Sequence, residues 1–297
     1  MFPFLKYRKI YFIFSGILIL VSIFSLIFFR FNLGIDFTGG AILEIEFKKE
    51  RIANQEIEKK LADLHLGSLT LQSTEEKGLI LRMRDINEET HQEILKRLNG
   101  EIVEKRFESI GPVIGSELKQ KTKIFTFLIL IAIIFYIAFA FRKASRPVSS
   151  WQYGLTAALV AFFHDILIPL GIFSLLGKFY QVQLTIPIVV GLLTILGYSV
   201  HDTIVVFDRI RENLLRKRGI TFEETVDQSL NQTLSRSINT SLTSLFVLAA
   251  IFFFGGPTLK YFALILILGI SLGTYSSIFI ASPILVGWLK LRERQRK

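Results

Sequence analysis

"LTIPIVVGLLTILGYSVHDTIVVFDRIREN", Leu184–Asn213, is apolar as far as Phe207 and turns at Asp208 into alternating charge. About 20 apolar residues at 1.5 Å per residue cross the ~30 Å hydrocarbon core of a bilayer. Leu184–Phe207 is long enough to do so. His201 and Asp202 lie inside the apolar part. A carboxylate is costly in lipid and is usually found facing a bundle interior or an ion path.

Working outward, the same pattern recurs at Tyr11–Phe29, Ile124–Phe141, Tyr153–Leu176, Ser241–Phe254 and Tyr261–Leu289. Ser241–Phe254 is short unless its helix begins near Arg236. These blocks predict six transmembrane helices; the alternative is the buried helices of a large soluble core. The first block follows Lys6, Arg8 and Lys9, as the apolar part of a signal peptide would. It is too long for that and is followed by the bulky "SLIFFRFN", so an uncleaved anchor is expected.

The chain of 297 residues is 51% hydrophobic, carries a formal net charge of +10 and has no cysteine. Disulfides and thiolate metal sites are thereby excluded. The positive charge borders the apolar blocks, so the membrane accounts for it and nucleic acid is not an expected partner. Lys6, Arg8 and Lys9, then Arg142, Lys143 and Arg146, then Arg209–Arg218, then Lys290–Lys297 fall on one side; Lys178 and Lys260 are the cations of the short opposite loops. The positive-inside rule then makes both termini cytoplasmic in a multi-pass protein of the cytoplasmic (inner) membrane. Long segments such as Arg30–Lys123 cross largely regardless of charge.

That long segment reads as strand Ala41–Phe47, helix Asn54–Leu64, strands Leu69–Gln72 and Leu79–Met83 around "STEEKG", helix Asn87–Leu98 and strand Ile102–Phe107. The order βαββαβ predicts a ferredoxin-like α+β domain. The expected organisation is a cytoplasmic N-terminus and helix 1 over 1–30, an extracytoplasmic (periplasmic) domain over 31–122, and helices 2–6 with a cytoplasmic tail over 123–297. In "GIDFTGG", Gly34–Gly40, the pair Gly39 and Gly40 predicts a tight turn that docks the domain, a hinge rather than a ligand site. No phosphate-binding loop of the G-x-x-x-x-G-K-[ST] type occurs, and no nucleophile–base constellation marks an enzyme. No cofactor and no metal site is expected.

Three intramembrane charges remain: Asp165, Asp202 and Arg236. Thr221 and Glu224 form a capping box just after Gly219, which predicts a helical hairpin turning there. Asp202 lies 17 residues before Gly219 and Arg236 lies 17 residues after it. Equal arms put both at the same height, roughly 25 Å from the turn, where they could meet. Arg236, Thr240 and Thr243 follow one helical face, with Asn239 and Ser244 beside them. Two readings fit: a static ion pair fixing the hairpin, or a carboxylate that gains and loses a proton while the arginine holds or releases it. Asp165 either joins the same wet interior or bonds neighbouring hydroxyls. His164 and His201 each precede an aspartate; neighbours on a helix point about 100° apart, so a structural role is expected for both. "FDRIREN" reads as a solvated helix face.

Six motifs in order carry a resemblance: "GIDFTGG" at 34–40, "GPVIGSEL" at 111–118, "FHDILIPLGIF" at 163–173, "GYSVHDTIVVFDRIREN" at 197–213, "TLSRSINTSLTSL" at 233–245 and "FGGPTLKYFALILILGI" at 254–270. The chain resembles the SecF family, the smaller of the paired SecD–SecF subunits within the resistance-nodulation-division superfamily. The resemblance implies assistance to protein export late in translocation, drawing on the proton-motive force, with SecD, the SecYEG channel, an unfolded polypeptide in transit and membrane lipid as partners. It also implies proton coupling at Asp202 and Arg236. The alternatives are a related proton-coupled exporter of lipid or small molecules, and a structural subunit of the translocase without coupling.

Overall fold

The computed structural model describes residues 2–74, 77–98, 102–140, 149–216 and 221–295. The chain divides into two compact units, Leu33–Ile124 and the remainder, Met1–Asn32 with Phe125–Lys297.

Helix α1 (Arg8–Phe29) shows the solvent for which the larger unit is built. Its buried residues are Ser15, Ser22 and Ser25. Ile13, Ile17, Leu20, Ile27 and Phe28 point outward. In water each such side chain would forfeit roughly 1.5–3 kcal/mol. In hydrocarbon the bulky residues gain nothing by facing inward, and small residues let helices approach closely. The distribution fits a multi-pass membrane protein.

In the smaller unit, one helical turn, α2 (Ile35–Thr38), leads into β1 (Gly40–Phe47). Then come α3 (Asn54–Leu61), β2 (Thr70–Thr74), β3 (Gly78–Met83), α4 (Glu88–Arg97) and β4 (Ile102–Ile110). All pairings are antiparallel and the strand order is β2-β3-β1-β4. Alternation decides which face is covered: Ala41, Leu43, Ile45 and Phe47 of β1 are buried, with Ile57 and Leu61 of α3 and Ile94 of α4 in the same core. Asn87 caps α4, its Oδ1 accepting from Thr90 N at 3.0 Å. Each predicted strand and helix of this unit is present to within a few residues; part of "STEEKG" lies outside the described residues. Gly39 and Gly40 join α2 to β1 with φ of +73° and +127°. A Cβ on Gly39 would lie 2.7 Å from the Pro112 backbone, and one on Gly40 would lie 2.7 Å from the Met83 carbonyl.

Helix α5 (Pro112–Ala140) begins in the smaller unit and continues into the larger one, and the end of the expected second span, Phe141, lies outside the described residues. Helix α6 (Ser150–Val160) passes through a π-helical turn, Ala161–Ile166, into α7 (Leu167–Tyr180). Next are α8 (Ile186–Arg216) and α9 (Phe222–Phe254). Helix α10 (Gly256–Ser276) passes through a second π-helical turn, Ser277–Ala281, into α11 (Ser282–Gln295). Among the described residues, five helical runs are long and apolar enough to cross a membrane: Phe4–Phe29, Trp151–Tyr180, Ile186–Arg216, Phe222–Phe254 and Leu259–Leu291.

Glycines set the closest approaches. A Cβ on Gly171 would lie 2.4 Å from Ser22, and one on Gly269 would lie 2.2 Å from Ile195. Helices α1 and α7 therefore pack almost backbone to backbone, and the Ile195 side chain of α8 lies directly on the α10 backbone at Gly269. Ser25 Oγ donates to Gly171 O at 3.0 Å, and Ser174 Oγ lies 3.0 Å from Ser25 O.

Candidate functional site

The α8–α9 hairpin is held near its turn by polar contacts. Thr221 and Glu224 form the predicted capping box. Asn213 Nδ2 lies 2.8 Å from Ser229 Oγ and 2.9 Å from Gln232 Oε1. Arg209 Nε donates to Gln232 at 2.7 Å. "FDRIREN" is thus more than a solvated face, because Arg209 and Asn213 fasten α8 to α9. Further along, Tyr198 Oη donates to Thr240 O at 3.3 Å. Tyr198 stands four residues before Asp202 and Thr240 four after Arg236, so the hairpin brings Asp202 and Arg236 to a common level.

Rotation nevertheless separates them. Asp202 is 2% exposed and turns toward α10, where its Oδ2 accepts from Thr274 Oγ1 at 3.0 Å. Ser241 of α9 contacts the same threonine hydroxyl. Arg236 is exposed and forms no ion pair with Asp202. It lines a cleft of about 210 Å³ with Val205, Asp208, Arg209, Glu212, Gln232 and Thr233. Direct contact across the seam, which equal arm lengths permit, is absent here; arm length sets height, and helix phase sets facing. Asn239, Thr240 and Thr243 are exposed like Arg236, so the polar face of α9 is open in the single chain.

Asp165 is fully buried and bonds neighbouring groups. Its Oδ2 accepts from Ser276 Oγ at 2.7 Å and from Ser199 Oγ. Its Oδ1 lies 2.7 Å from His164 Nδ1. The expectation that adjacent residues diverge fails at this point. The π-helical turn widens the coil, so successive side chains diverge less than in an α-helix and these two converge. His164 Nε2 lies 3.1 Å from Ser15 Oγ, which lies 3.4 Å from Tyr275 Oη. His201, by contrast, is exposed.

The two carboxylates share their supports. Ser199 and Asp202 stand one turn apart on α8, while Thr274 and Ser276 stand two residues apart on α10. Thr203 Oγ1 lies 2.8 Å from Ser277 Oγ and so closes the layer between them. Ser15, Ser199, Thr274, Tyr275 and Ser276 were missed as a set by sequence reasoning. The available signal was hydroxyl residues clustered in apolar spans, above all "TYSS" at 274–277. Among the described residues no three histidine, aspartate or glutamate side chains gather as a metal site would need.

A helical bundle of apolar spans with two buried carboxylates, joined to a small antiparallel α+β unit, defines a class of polytopic membrane protein. The chain belongs to the SecD/SecF family of protein export membrane proteins: the C-terminal domain of that family matches residues 90–291 and the SecD/SecF GG motif matches residues 24–50. Its curated relatives place it on the SecF side. It is 42% identical to the protein translocase subunit SecF of Thermobaculum terrenum, over 95% of this chain and 92% of that one. It is 36% identical to that of Haemophilus influenzae, over 95% of this chain and 84% of that one. Among solved structures it is similar to SecDF of Thermus thermophilus, a translocon-associated membrane protein, with a TM-score of 0.83 and 31% identity. That match covers 97% of this chain and 38% of the SecDF chain.

Proposed function

We propose that this protein is the SecF-type half of a two-part export machine, in which proton movement at Asp202 is converted into movement of the Leu33–Ile124 domain. The observation that carries the reading is the state of Asp202: a carboxylate 2% exposed inside an apolar bundle, with Thr274 as its hydroxyl partner. A merely structural polar residue there would be cheaper uncharged. Arg236 stands at the same level on the exposed polar face of α9, free to approach or withdraw. Its separation from Asp202 disfavours a static clasp.

In this reading the bundle has six membrane helices, the one within α5 completing the five above, and both termini are cytoplasmic. The small domain is ferredoxin-like, lies outside the cytoplasmic membrane, and turns on Gly39 and Gly40. SecD supplies the complementary membrane half against the open face of α9. The assembly serves the SecYEG channel late in translocation by holding or pulling the emerging polypeptide. A unit charge crossing 100 mV releases about 2.3 kcal/mol. That biases a two-state movement but falls short of the ~5.5 kcal/mol needed to take it from 1:99 to 99:1. More than one proton per stroke, or a pre-existing bias, is therefore expected.

The test is export of a secreted protein into sealed vesicles holding SecD and this chain. Asp202→Asn should remove the gradient-dependent part of export while the complex still assembles. Arg236→Ala should do the same. Gradient-dependent export that persists in both variants would overturn the reading.

A further inference from the structure

The second buried carboxylate carries an inference of its own, which rests on the coupling reading above. Its surroundings can be followed hydrogen by hydrogen. Asp165 Oδ2 faces the hydroxyls of Ser199 and Ser276, and Oδ1 faces His164 Nδ1. The imidazole is stacked on Tyr275, with ring centroids 5.7 Å apart. From His164 Nε2 the contacts run on to Ser15 Oγ at 3.1 Å, to Tyr275 Oη at 3.4 Å and to the Tyr11 carbonyl at 3.5 Å.

This chain of contacts has two complete hydrogen assignments. In the first, Nδ1–H donates to Asp165 and Nε2 accepts the Ser15 hydroxyl hydrogen; Tyr275 Oη donates to Ser15 Oγ. In the second, the imidazole carries one more proton. Nε2–H then donates to Ser15 Oγ, Ser15 donates to Tyr275 Oη, and Tyr275 donates to Tyr11 O. Every buried polar atom of the chain has a partner in both, because the two hydroxyls can turn to suit either state of the imidazole. The extra proton also makes the His164–Asp165 pair electrically neutral. The titratable groups facing it are Tyr275 from α10 and, beyond that, Tyr11 from α1; Ser15 of α1, Ser199 of α8 and Ser276 of α10 are its other polar contacts among the described residues.

We propose that His164 and Asp165 form a second proton-holding site, which takes up one proton from water by way of the Ser15–Tyr275 hydroxyl chain. Loading reverses that chain and so changes the contacts of α1 and α10. Each O–H bond breaks as the next bond forms: the Ser15 hydrogen passes to His164 Nε2, the Tyr275 hydrogen passes to Ser15, and Tyr275 takes one from a hydronium ion, which is left as water. Helix α10 also holds Asp202 through Thr274, so the two sites share a support.

The full chain, labelled with ¹⁵N-histidine and embedded in vesicles, tests this by solid-state nuclear magnetic resonance. The sequence has 4 histidines, and His164→Gln identifies the signal of interest. That signal should pass from singly to doubly protonated imidazole as the pH is lowered. Asp165→Asn should abolish the transition or displace it by more than about one pH unit. Tyr275→Phe, which removes a partner of Ser15 in both hydrogen assignments, should displace the midpoint. If His164→Gln does not fold, the signal displaced by Tyr275→Phe serves as the assignment. A His164 signal that keeps one protonation state throughout, or that titrates identically in Asp165→Asn, overturns the proposal. Asp202→Asn should leave the transition in place while removing gradient-driven export, so this site and the coupling reading can fail separately.

Discussion

Asp202 and Asp165 are the two costly residues of the bundle, and their partners differ in kind. Asp165 is enclosed by two serine hydroxyls and an imidazole, while Asp202 has one threonine hydroxyl and lies beside an open polar face. The more lightly held carboxylate is the one to expect at a working position. Thr274→Val removes its hydroxyl partner without changing shape. We predict a roughly tenfold loss of gradient-driven export, the equivalent of one hydrogen bond of about 1.4 kcal/mol, with assembly intact. Arg236→Ala should change thermal stability by less than about 0.5 kcal/mol, as an exposed side chain without an ion pair implies. Calorimetry in detergent would check this, and a large loss would restore the clasp.

A different charge cluster sets a pH dependence in the small domain. The Arg97 guanidinium hydrogen-bonds Asp63 and Glu93 and holds both carboxyls below their ordinary range. A depressed folded value means that stabilisation is full above about pH 4 and is lost as pH falls through the folded values. Arg97 joins α4 to the end of α3, donating also to Lys60 O at 3.2 Å. Hydrogen exchange over residues 54–98 should therefore quicken as pH drops below about 4 in the parent chain, after correction for intrinsic rates. Arg97→Met should flatten that dependence.

At the scale of elements, the hairpin arms, the capping box and the succession of strands and helices were legible because each is written in neighbouring residues. Thr221 and Glu224 state a helix start locally, and the alternation of "AILEIEF" states a strand. What could not be read was phase. Whether Asp202 faces α9 or α10 depends on helix rotation, which the apolar pattern leaves undecided in a lipid-exposed bundle, where bulky residues cover the outside as readily as the inside. The π-helical turn at Ala161–Ile166 was equally hidden, and with it the meeting of His164 and Asp165. The serines that complete the site come from α1, α8 and α10, separated by up to hundreds of residues. Close helix contacts give a test at this scale. Gly269→Leu would drive a side chain into Ile195, and overpacking of this kind typically costs about 1–3 kcal/mol. A lowered unfolding temperature with α8 and α10 displaced is expected, whereas Gly197→Leu, where a Cβ meets nothing within 4 Å, should be tolerated.

For the whole molecule, family membership and the buried carboxylates converge on one account. This chain spans 38% of the SecDF chain of Thermus thermophilus. In the assembly proposed above, the complementary half packs on the open polar face of α9. The most direct measurement is export into sealed vesicles containing SecD and either the parent chain or Asp202→Asn, with and without a proton gradient. The account predicts that the variant assembles, exports at the ungradiented level, and gains nothing when the gradient is applied. An equal response to the gradient in both would contradict it.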